Sequence, residues 1–169
     1  MLRSIVAASA AVVALSAGAF AQDSTISVGV ERADFDGLSL DSVAFRGAHF
    51  FNETFGVEGQ LNIGVGDDTV RFLGTDVDVS QNWGAGVFAV ARTGGEGFNL
   101  LGRLGYVHTD IEADVAGFSE SEDDGALAAG VAAEWYLDER NGVRLDYTYA
   151  DFDDSVSIFG ISYVRRLGG

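Results

Sequence analysis

Few side chains in this 169-residue chain could support catalysis: it has two histidines and no cysteine. Acyl transfer by a nucleophile requires a histidine beside a hydroxyl or a carboxylate. His108, followed by Thr109 and Asp110, is the best candidate, while His49 lies in a different segment. A histidine at the end of a strand is also typical of an interface, where its polar tip meets water. We therefore predict no catalytic residues and no enzyme activity, with a hydrolase acting at a cell surface as the alternative.

Clustered carboxylates offer a second kind of chemistry, because their oxygens are the ligands that Ca²⁺ and Mg²⁺ prefer. The chain has 26 acidic residues against 10 basic ones, all arginine, and a net charge of −16. Many of the acidic residues lie in four segments, 33–37, 66–76, 110–124 and 151–154. The densest run, 120–124, lacks the spacing and turn glycine of an EF-hand loop. We predict no dedicated metal site and no cofactor, only weak screening by divalent cations, and no nucleic-acid partner.

A third set of charged residues lies singly inside otherwise apolar or small-residue segments. The set comprises Glu31, Arg46, Glu58, Arg103, Glu134, Arg144 and Asp146. An unpaired buried charge is several kcal/mol unfavourable, whereas arginine and carboxylate form strong bidentate hydrogen bonds. Since acidic and basic members are similar in number, we predict a structural network of ion pairs inside a narrow lumen. A conducting path for small solutes and a catalytic carboxylate pair are the alternatives.

Strands must position these residues, because eight segments show period-two alternation and no long segment after the first 21 residues shows a helical period. The predicted strands are 24–32, 38–51, 53–65, 77–92, 97–109, 125–137, 142–150 and 155–167. About ten residues suffice for a tilted strand to cross a bilayer. Short connections alternate with mostly longer, acidic ones, as in an up-and-down outer-membrane barrel. The sequence therefore predicts an all-β fold, an eight-stranded antiparallel transmembrane β-barrel with acidic extracellular loops.

The first 21 residues have the pattern of a secretory signal peptide. Arg3 supplies a positive charge, residues 5–15 are uncharged and largely apolar, and Ala19-Phe20-Ala21 matches a cleavage site. We predict a signal peptide over 1–21 and one outer-membrane β-barrel domain over 22–169. A short membrane anchor is the alternative for this segment.

The two faces of the predicted strands differ in a way that indicates which one meets lipid. In the hairpin 125–149, one phase is aliphatic and the other is small residues with isolated charges. A soluble barrel would bury the aliphatic phase, but small residues with charges of both signs suit a narrow lumen better. We predict that the apolar face meets lipid, with a soluble barrel as the alternative. The predicted interface aromatics are Trp83, Tyr106, Trp135, Tyr147, Tyr149 and Tyr163.

Three segments resemble the OmpA-type eight-stranded outer-membrane β-barrels, a family grouped with opacity-like and small porin family proteins. Phe55-Gly-Val-Glu-Gly59 resembles the third-strand pattern with its inward Glu58. Asn141-Gly-Val-Arg-Leu-Asp-Tyr147 resembles the seventh-strand pattern with its inward Arg144. Phe159-Gly-Ile-Ser-Tyr163 resembles the last strand, where Gly160 and Tyr163 imply an insertion signal for the barrel-assembly machinery. Arg165 stands where the family pattern has its final aromatic residue.

The resemblance implies a non-enzymatic structural protein of the Gram-negative outer membrane. Its implied partners are outer-membrane lipid, lipopolysaccharide and, during biogenesis, the barrel-assembly machinery. We expect it to contribute to envelope integrity or surface interaction through a salt-bridged, largely closed lumen. A narrow porin-like channel for small solutes is the alternative function.

Overall fold

The computed structural model describes residues 24–35, 38–65, 67–72, 75–93, 95, 97–115, 118–152 and 155–168, and the predicted signal peptide lies outside them. Within these ranges the regular secondary structure is β-strand, and bends at 51–54 and 137–140 connect strands. The strands are β1 (Ser24–Phe35), β2 (Leu38–Phe50), β3 (Phe55–Gly64), β4 (Asp67–Phe72), β5 (Thr75–Arg92), β6 (Phe98–Val115), β7 (Phe118–Tyr136), β8 (Asn141–Asp151) and β9 (Ser155–Arg166). No helix among the described residues is long and apolar enough to cross a membrane.

Eight of the nine strands form a closed antiparallel barrel. Their order around the sheet is β3-β2-β1-β9-β8-β7-β6-β5, and pairing of β3 with β5 closes the ring. The short strand β4 follows β3 and pairs with the first residues of β5, so it continues the position of β3 beside β5. Closure pairs every wall strand on both sides, which a β-structure needs in lipid because no water is there to satisfy an edge. The predicted eight-stranded barrel is confirmed.

Two acidic segments predicted as loops, 66–76 and 110–124, are instead largely β-hairpins. Strand β4 pairs with β5, and the ladder between β6 and β7 continues to the pair Val115–Phe118. An antiparallel ladder satisfies the backbone N–H and C=O groups whatever the side chains are, so pairing continues past the length that a membrane requires. The alternation was present in the sequence as Ile111, Ala113 and Val115 between acidic residues, but the charge obscured it.

The two ends of the barrel differ in their connections. At one end, which we call the short-turn end, residues 51–54, 93–97 and 137–140 join neighbouring strands. At the other, which we call the hairpin end, the ribbons β4–β5 and β6–β7 extend the wall. The short turns are at the predicted places.

Asp138 shapes the turn between β7 and β8. Its Oδ1 accepts hydrogen bonds from the backbone N–H groups of Arg140 at 2.8 Å and Asn141 at 2.7 Å. The Asn141 side chain donates to its Oδ2 at 2.9 Å. These donors, the Asn141 side chain foremost, lower the pKa of the Asp138 carboxyl, and the nearby Arg165 charge acts in the same direction. An Asp that bonds the backbone two and three residues ahead keeps such a turn short.

Side chains alternate between the outer wall and the lumen along the strands. Outward positions carry exposed apolar residues, such as Leu104, Val131 and Trp135, which is 68% exposed. Inward positions carry small and charged residues, and the largest fully buried side chains include Arg144 and Glu58. This is the reverse of a soluble protein, in which large apolar groups are buried and charges face water. It agrees with the prediction that the apolar face meets lipid.

Candidate functional site in the barrel lumen

All seven charged residues predicted to face the lumen are buried there. They occupy inward positions on β1, β2, β3, β6, β7 and β8, and each is at most 6% exposed. Alternation alone puts them on the same face of the sheet, and curvature of the closed sheet then brings their side chains to a common axis. We call Glu31, Arg46, Glu58, Arg103, Glu134, Arg144 and Asp146 the lumen charge network.

Glu58 on β3 joins two arginines from other strands, Arg103 on β6 and Arg144 on β8. Its Oε1 lies 2.9 Å from Arg103 Nη1, and its Oε2 lies 2.5 Å from Arg144 Nη1. Arg144 Nη2 also donates to Oε1 at 3.2 Å, so the Arg144–Glu58 contact is bidentate. Charge-assisted, two-point contacts of this kind are the strongest that side chains form. They tie β3 to β6 and β8 through the lumen.

Asp146 connects this part to a second cluster around Arg46. Its Oδ1 lies 3.3 Å from Arg144 Nε, and its Oδ2 accepts from Arg46 Nη2 at 3.1 Å. Arg46 Nη2 also donates to Glu31. Glu134 completes the set, with Oε1 at 3.7 Å from Arg144 Nη1. The seven predicted residues therefore form one connected network, in which Arg144 faces three carboxylates.

Neutral residues that the prediction left out complete this network. Gln60 Oε1 accepts from Arg46 Nε at 3.1 Å and from Arg103 Nη2 at 2.6 Å, while its Nε2 donates to Glu31 at 2.9 Å. Tyr136 donates its hydroxyl to Glu134 at 2.8 Å. Gln60 has the same phase as Glu58, so alternation could have identified it. A search restricted to charged side chains could not.

Two arginines stack on aromatic rings toward the short-turn end of the lumen. The guanidinium carbons of Arg92 and Arg166 lie 3.7 Å and 3.6 Å from the ring centroids of Phe50 and Tyr136. Both arginines are also held by backbone carbonyls, Arg92 through Glu53 at 3.0 Å and Arg166 through Gly95 at 3.0 Å. Cation–π contacts of this geometry strengthen where water is excluded. Sequence reasoning did not anticipate them, because partners on different strands have no local signature.

A small cup opens above the network toward the hairpin end. Its volume is about 50 Å³, with Glu31 and Gln60 in its floor and Leu40, Phe152 and Val156 in its wall. A cavity of this size holds a few water molecules. Its floor is hydrogen-bonded, because Asn62 accepts from Gln60 at 2.8 Å and donates to Glu31.

The six predicted interface aromatics lie on the outer wall. Tyr106, Trp135, Tyr149 and Tyr163 are exposed, while Trp83 and Tyr147 are half-buried against neighbours. Trp83 packs on His108 with ring centroids 5.5 Å apart, and Tyr147 packs on Phe159 at 4.9 Å. These positions suit aromatic belts, in which rings span the boundary between lipid and water. His108 thus lies in an aromatic contact on the outer wall.

His49 also lies near the outer wall, at the short-turn end. Its Nδ1 is 3.1 Å from the Ser24 hydroxyl, and its ring meets Phe51 edge-on at 5.4 Å. The two histidines are on different strands, β2 and β6, and the structure does not join them into one site.

The two residues of the predicted insertion signal have separate structural surroundings. Tyr163 is exposed on the outer wall and donates its hydroxyl to Asn141. Gly160 faces the lumen, where a Cβ would overlap the Asp146 carboxylate and lie 3.2 Å from Glu31 Cγ. The glycine therefore makes room for the network, whereas its reading by the assembly machinery stays a prediction.

Replacing Gly160 by valine is expected to lower the free energy of unfolding by about 1–3 kcal/mol, since the added methyls displace Asp146 from its arginines. Urea unfolding of the protein folded into phospholipid vesicles measures the change. Gly102→Ala is the matched control, because a Cβ at Gly102 meets nothing within 4 Å. Equal midpoints for the Gly160 variant and the wild type would show that the lumen accommodates the added volume.

Comparison with known proteins places this architecture among bacterial outer-membrane barrels. The crystal structure of OprG from Pseudomonas aeruginosa superposes with a TM-score of 0.65 at 17% identity, covering 85% of this chain and 96% of that one. Ail, the attachment invasion locus protein of Yersinia pestis, gives 0.62 at 22% identity, covering 85% and 98%. Neisserial surface protein A gives 0.56 at 10% identity, covering 85% and 95%. At these identities the likeness concerns the fold.

No curated protein matches the chain significantly. A family model, the outer membrane protein beta-barrel domain, matches residues 7–166. This range includes every wall strand and every member of the lumen charge network. The chain therefore belongs to the outer membrane protein β-barrel family and resides in the outer membrane of a Gram-negative envelope.

Proposed function

We propose that this protein is a non-enzymatic structural barrel whose lumen is closed by the lumen charge network. The observation that carries the proposal is an unbroken series of contacts across the lumen, from Glu31 through Arg46, Asp146, Arg144 and Glu58 to Arg103. The series joins five strands on opposite walls. A solute crossing the barrel would have to break several charge-assisted hydrogen bonds in a space that side chains already fill.

The closure is reinforced on both sides of the network. The stacked Arg92 and Arg166 cover the short-turn side. The hydrogen-bonded layer of Glu31, Gln60 and Asn62 forms the floor of the cup on the hairpin side. Three successive barriers favour a rigid envelope component over a pore.

A narrow channel is the second candidate, and one observation favours it. Three inward side chains, Ser27, Asn99 and Thr148, are buried and have no hydrogen-bond partner within the described part of the chain. Buried polar groups of this kind are commonly satisfied by ordered water. Water at these positions would hydrate the lumen on either side of the charge network, as a narrow channel requires.

We also propose that the protein has no hydrolytic activity. Ser24 and His49 are a possible nucleophile and base, but both lie in the β1–β2 ladder, where they are register partners. Backbone N–H groups used in such a ladder cannot form an oxyanion hole, and acyl transfer depends on one. Unchanged lipid A mass spectra in cells with and without the protein would agree with this proposal; a new deacylated species would contradict it.

The hairpin end is proposed to face the cell exterior and to present an acidic surface. A structure of Ail contains the heparin analogue sucrose octasulfate. In this chain the segments at that end carry most of the 26 acidic residues, and such a surface repels sulfated polyanions. Its proposed roles are therefore envelope integrity and interaction with lipopolysaccharide through weakly bound divalent cations, and not direct binding of a sulfated polyanion.

Planar-bilayer recordings separate the closed barrel from the channel. The reconstituted wild-type protein is expected to give no steady conductance, and liposomes containing it are expected to swell in small sugars no faster than lipid alone. Glu58→Gln serves as the comparison, because it removes the carboxylate that both Arg103 and Arg144 bind. Steady channels of uniform size in the wild type would overturn the closed-lumen proposal.

A further inference from the structure

The last strand carries an arginine on its lipid-facing side, close to the short-turn end. Arg165 belongs to the outward phase of β9, together with the exposed Phe159, Ile161 and Tyr163. Its neighbours across the sheet are Ile26 on β1 and Asn141 on β8. An arginine on the lipid face is strongly unfavourable at the bilayer centre and tolerated near the interface. Its position next to the end of β9 puts it at the level of the lipid headgroups.

The guanidinium of Arg165 is available to an external anion. It forms no ion pair or hydrogen bond within the described residues. The Arg165 charge acts on the Asp138 carboxylate, whose oxygens accept hydrogen bonds from the Arg140 and Asn141 N–H groups of its own turn. The phenol of Tyr163 is likewise engaged, with Asn141. The Tyr163 hydroxyl is therefore not available to bind an anion, whereas the Arg165 guanidinium is.

The outer wall next to Arg165 carries a row of small and apolar residues that runs away from the short-turn end. One row of register partners runs from Arg165 through Ile26 and Gly47 to Gly59. Each step along this row lies one residue further from the short-turn end of its strand. A Cβ at Gly47 would meet nothing within 4 Å, so no internal packing requires a glycine there. Glycine within a strand often marks a place where another molecule approaches the backbone.

We propose that Arg165 binds the phosphate of a phospholipid in the leaflet at the short-turn end, with an acyl chain of that lipid lying over Gly47 and Gly59. Guanidinium and phosphate form a two-point, charge-assisted contact, and an aromatic ring beside it suits the headgroup boundary. The apolar row supplies the complementary surface for the hydrocarbon. The site rests on the membrane placement in the proposed function and is independent of the closed lumen.

Native mass spectrometry with dilauroyl phosphatidylglycerol tests the site on the full barrel folded in neutral detergent. Arg165→Gln is expected to raise the apparent Kd of the first bound lipid about tenfold, the effect of losing one good charged contact. Arg165→Lys keeps the charge but loses the two-point guanidinium contact, and its apparent Kd is expected to lie between those of the wild type and Arg165→Gln. Gly47→Leu adds a bulky side chain where the acyl chain is proposed to lie and is also expected to weaken binding. Arg32→Gln, an outward arginine toward the hairpin end, is the control and should match the wild type.

The readouts distinguish failure of this site from failure of the membrane placement. Heat-dependent mobility in SDS gels reports folding of each variant, and only folded variants are compared. Wild-type lipid affinity in folded Arg165→Gln and Gly47→Leu would overturn the site. If Arg165→Gln binds lipid like the wild type but inserts poorly through the assembly machinery, then the arginine is read by a protein, and the lipid proposal is wrong. Absence of a heat-dependent shift in the wild type would contradict the membrane barrel itself.

Discussion

Replacing Arg144 by methionine is expected to lower the free energy of unfolding by about 3–5 kcal/mol, because it leaves buried carboxylates without their counter-charge. Arg144 lies 2.5 Å from Glu58, 3.3 Å from Asp146 and 3.7 Å from Glu134, and it is 1% exposed. Removing this cation leaves more buried carboxylates without a counter-charge than any other substitution in the network. Urea-dependent unfolding in phospholipid vesicles, followed by tryptophan fluorescence and gel mobility, measures the loss.

Two companion variants make the Arg144 result specific. Adding Glu58→Gln to Arg144→Met removes the main unpaired carboxylate, so the double variant is expected to lose less stability than the sum of the two single variants, with a coupling of about 0.5–3 kcal/mol. Arg32→Gln breaks an exposed bidentate pair with Asp41 at 2.7 Å and is expected to cost less than about 1 kcal/mol. If Arg144→Met costs no more than Arg32→Gln, then water already solvates the lumen charges.

Replacing Leu104 by arginine is expected to destabilise the membrane-inserted barrel by about 2–4 kcal/mol, the range for a cation on the lipid face near the bilayer midplane. Leu104 is 64% exposed on the outer wall and lies in the row Ala89–Leu104–Ala129, away from both ends of the barrel. In a soluble barrel the same exposed position would tolerate the change within about 0.5 kcal/mol. The reversible folding equilibrium in vesicles provides the measurement.

Phe98→Arg is the depth control for Leu104→Arg. Phe98 is also exposed and outward, but it is the first residue of β6 at the short-turn end. An arginine there reaches the headgroups, and the expected cost is about 0–1 kcal/mol. Equal costs at the two positions would mean that the wall has no depth-dependent lipid environment, and the inside-out assignment of its faces would fail.

The fold was predictable because β-structure has a period of two and lipid leaves few options. Alternation assigned Glu58 and Arg144 to one face and Leu104 and Trp135 to the other before any strand was paired. The prediction stopped at 66–76 and 110–124, where it expected loops and the chain continues as paired strands. A ladder is stabilised by backbone bonds that do not depend on charge, so composition was a poor guide to where the strands end.

The residues that line the lumen were largely predictable, but the contacts between their side chains were not. Phase identified which side chains point inward, including the seven charged ones. The contact between Arg144 and Glu58 joins residues 86 positions apart, and that between Arg46 and Ser162 spans 116. Those distances along the chain carry no local signal. The same is true of Gln60 bridging Arg46 and Arg103, which needs three strands at one height.

By itself, the sequence determined that this chain forms membrane-length strands with an apolar face and a small, charged face, and that the charges can balance. These properties depend only on residue type and spacing, so they can be recognised before the contacts between strands are known. Only the tertiary structure decided that Glu58 holds two arginines, that Gly160 makes room for Asp146, and that Arg165 is exposed on the outer wall next to Ile26. Closing eight strands with a definite stagger sets the height of every residue around the lumen, and height determines which charges meet.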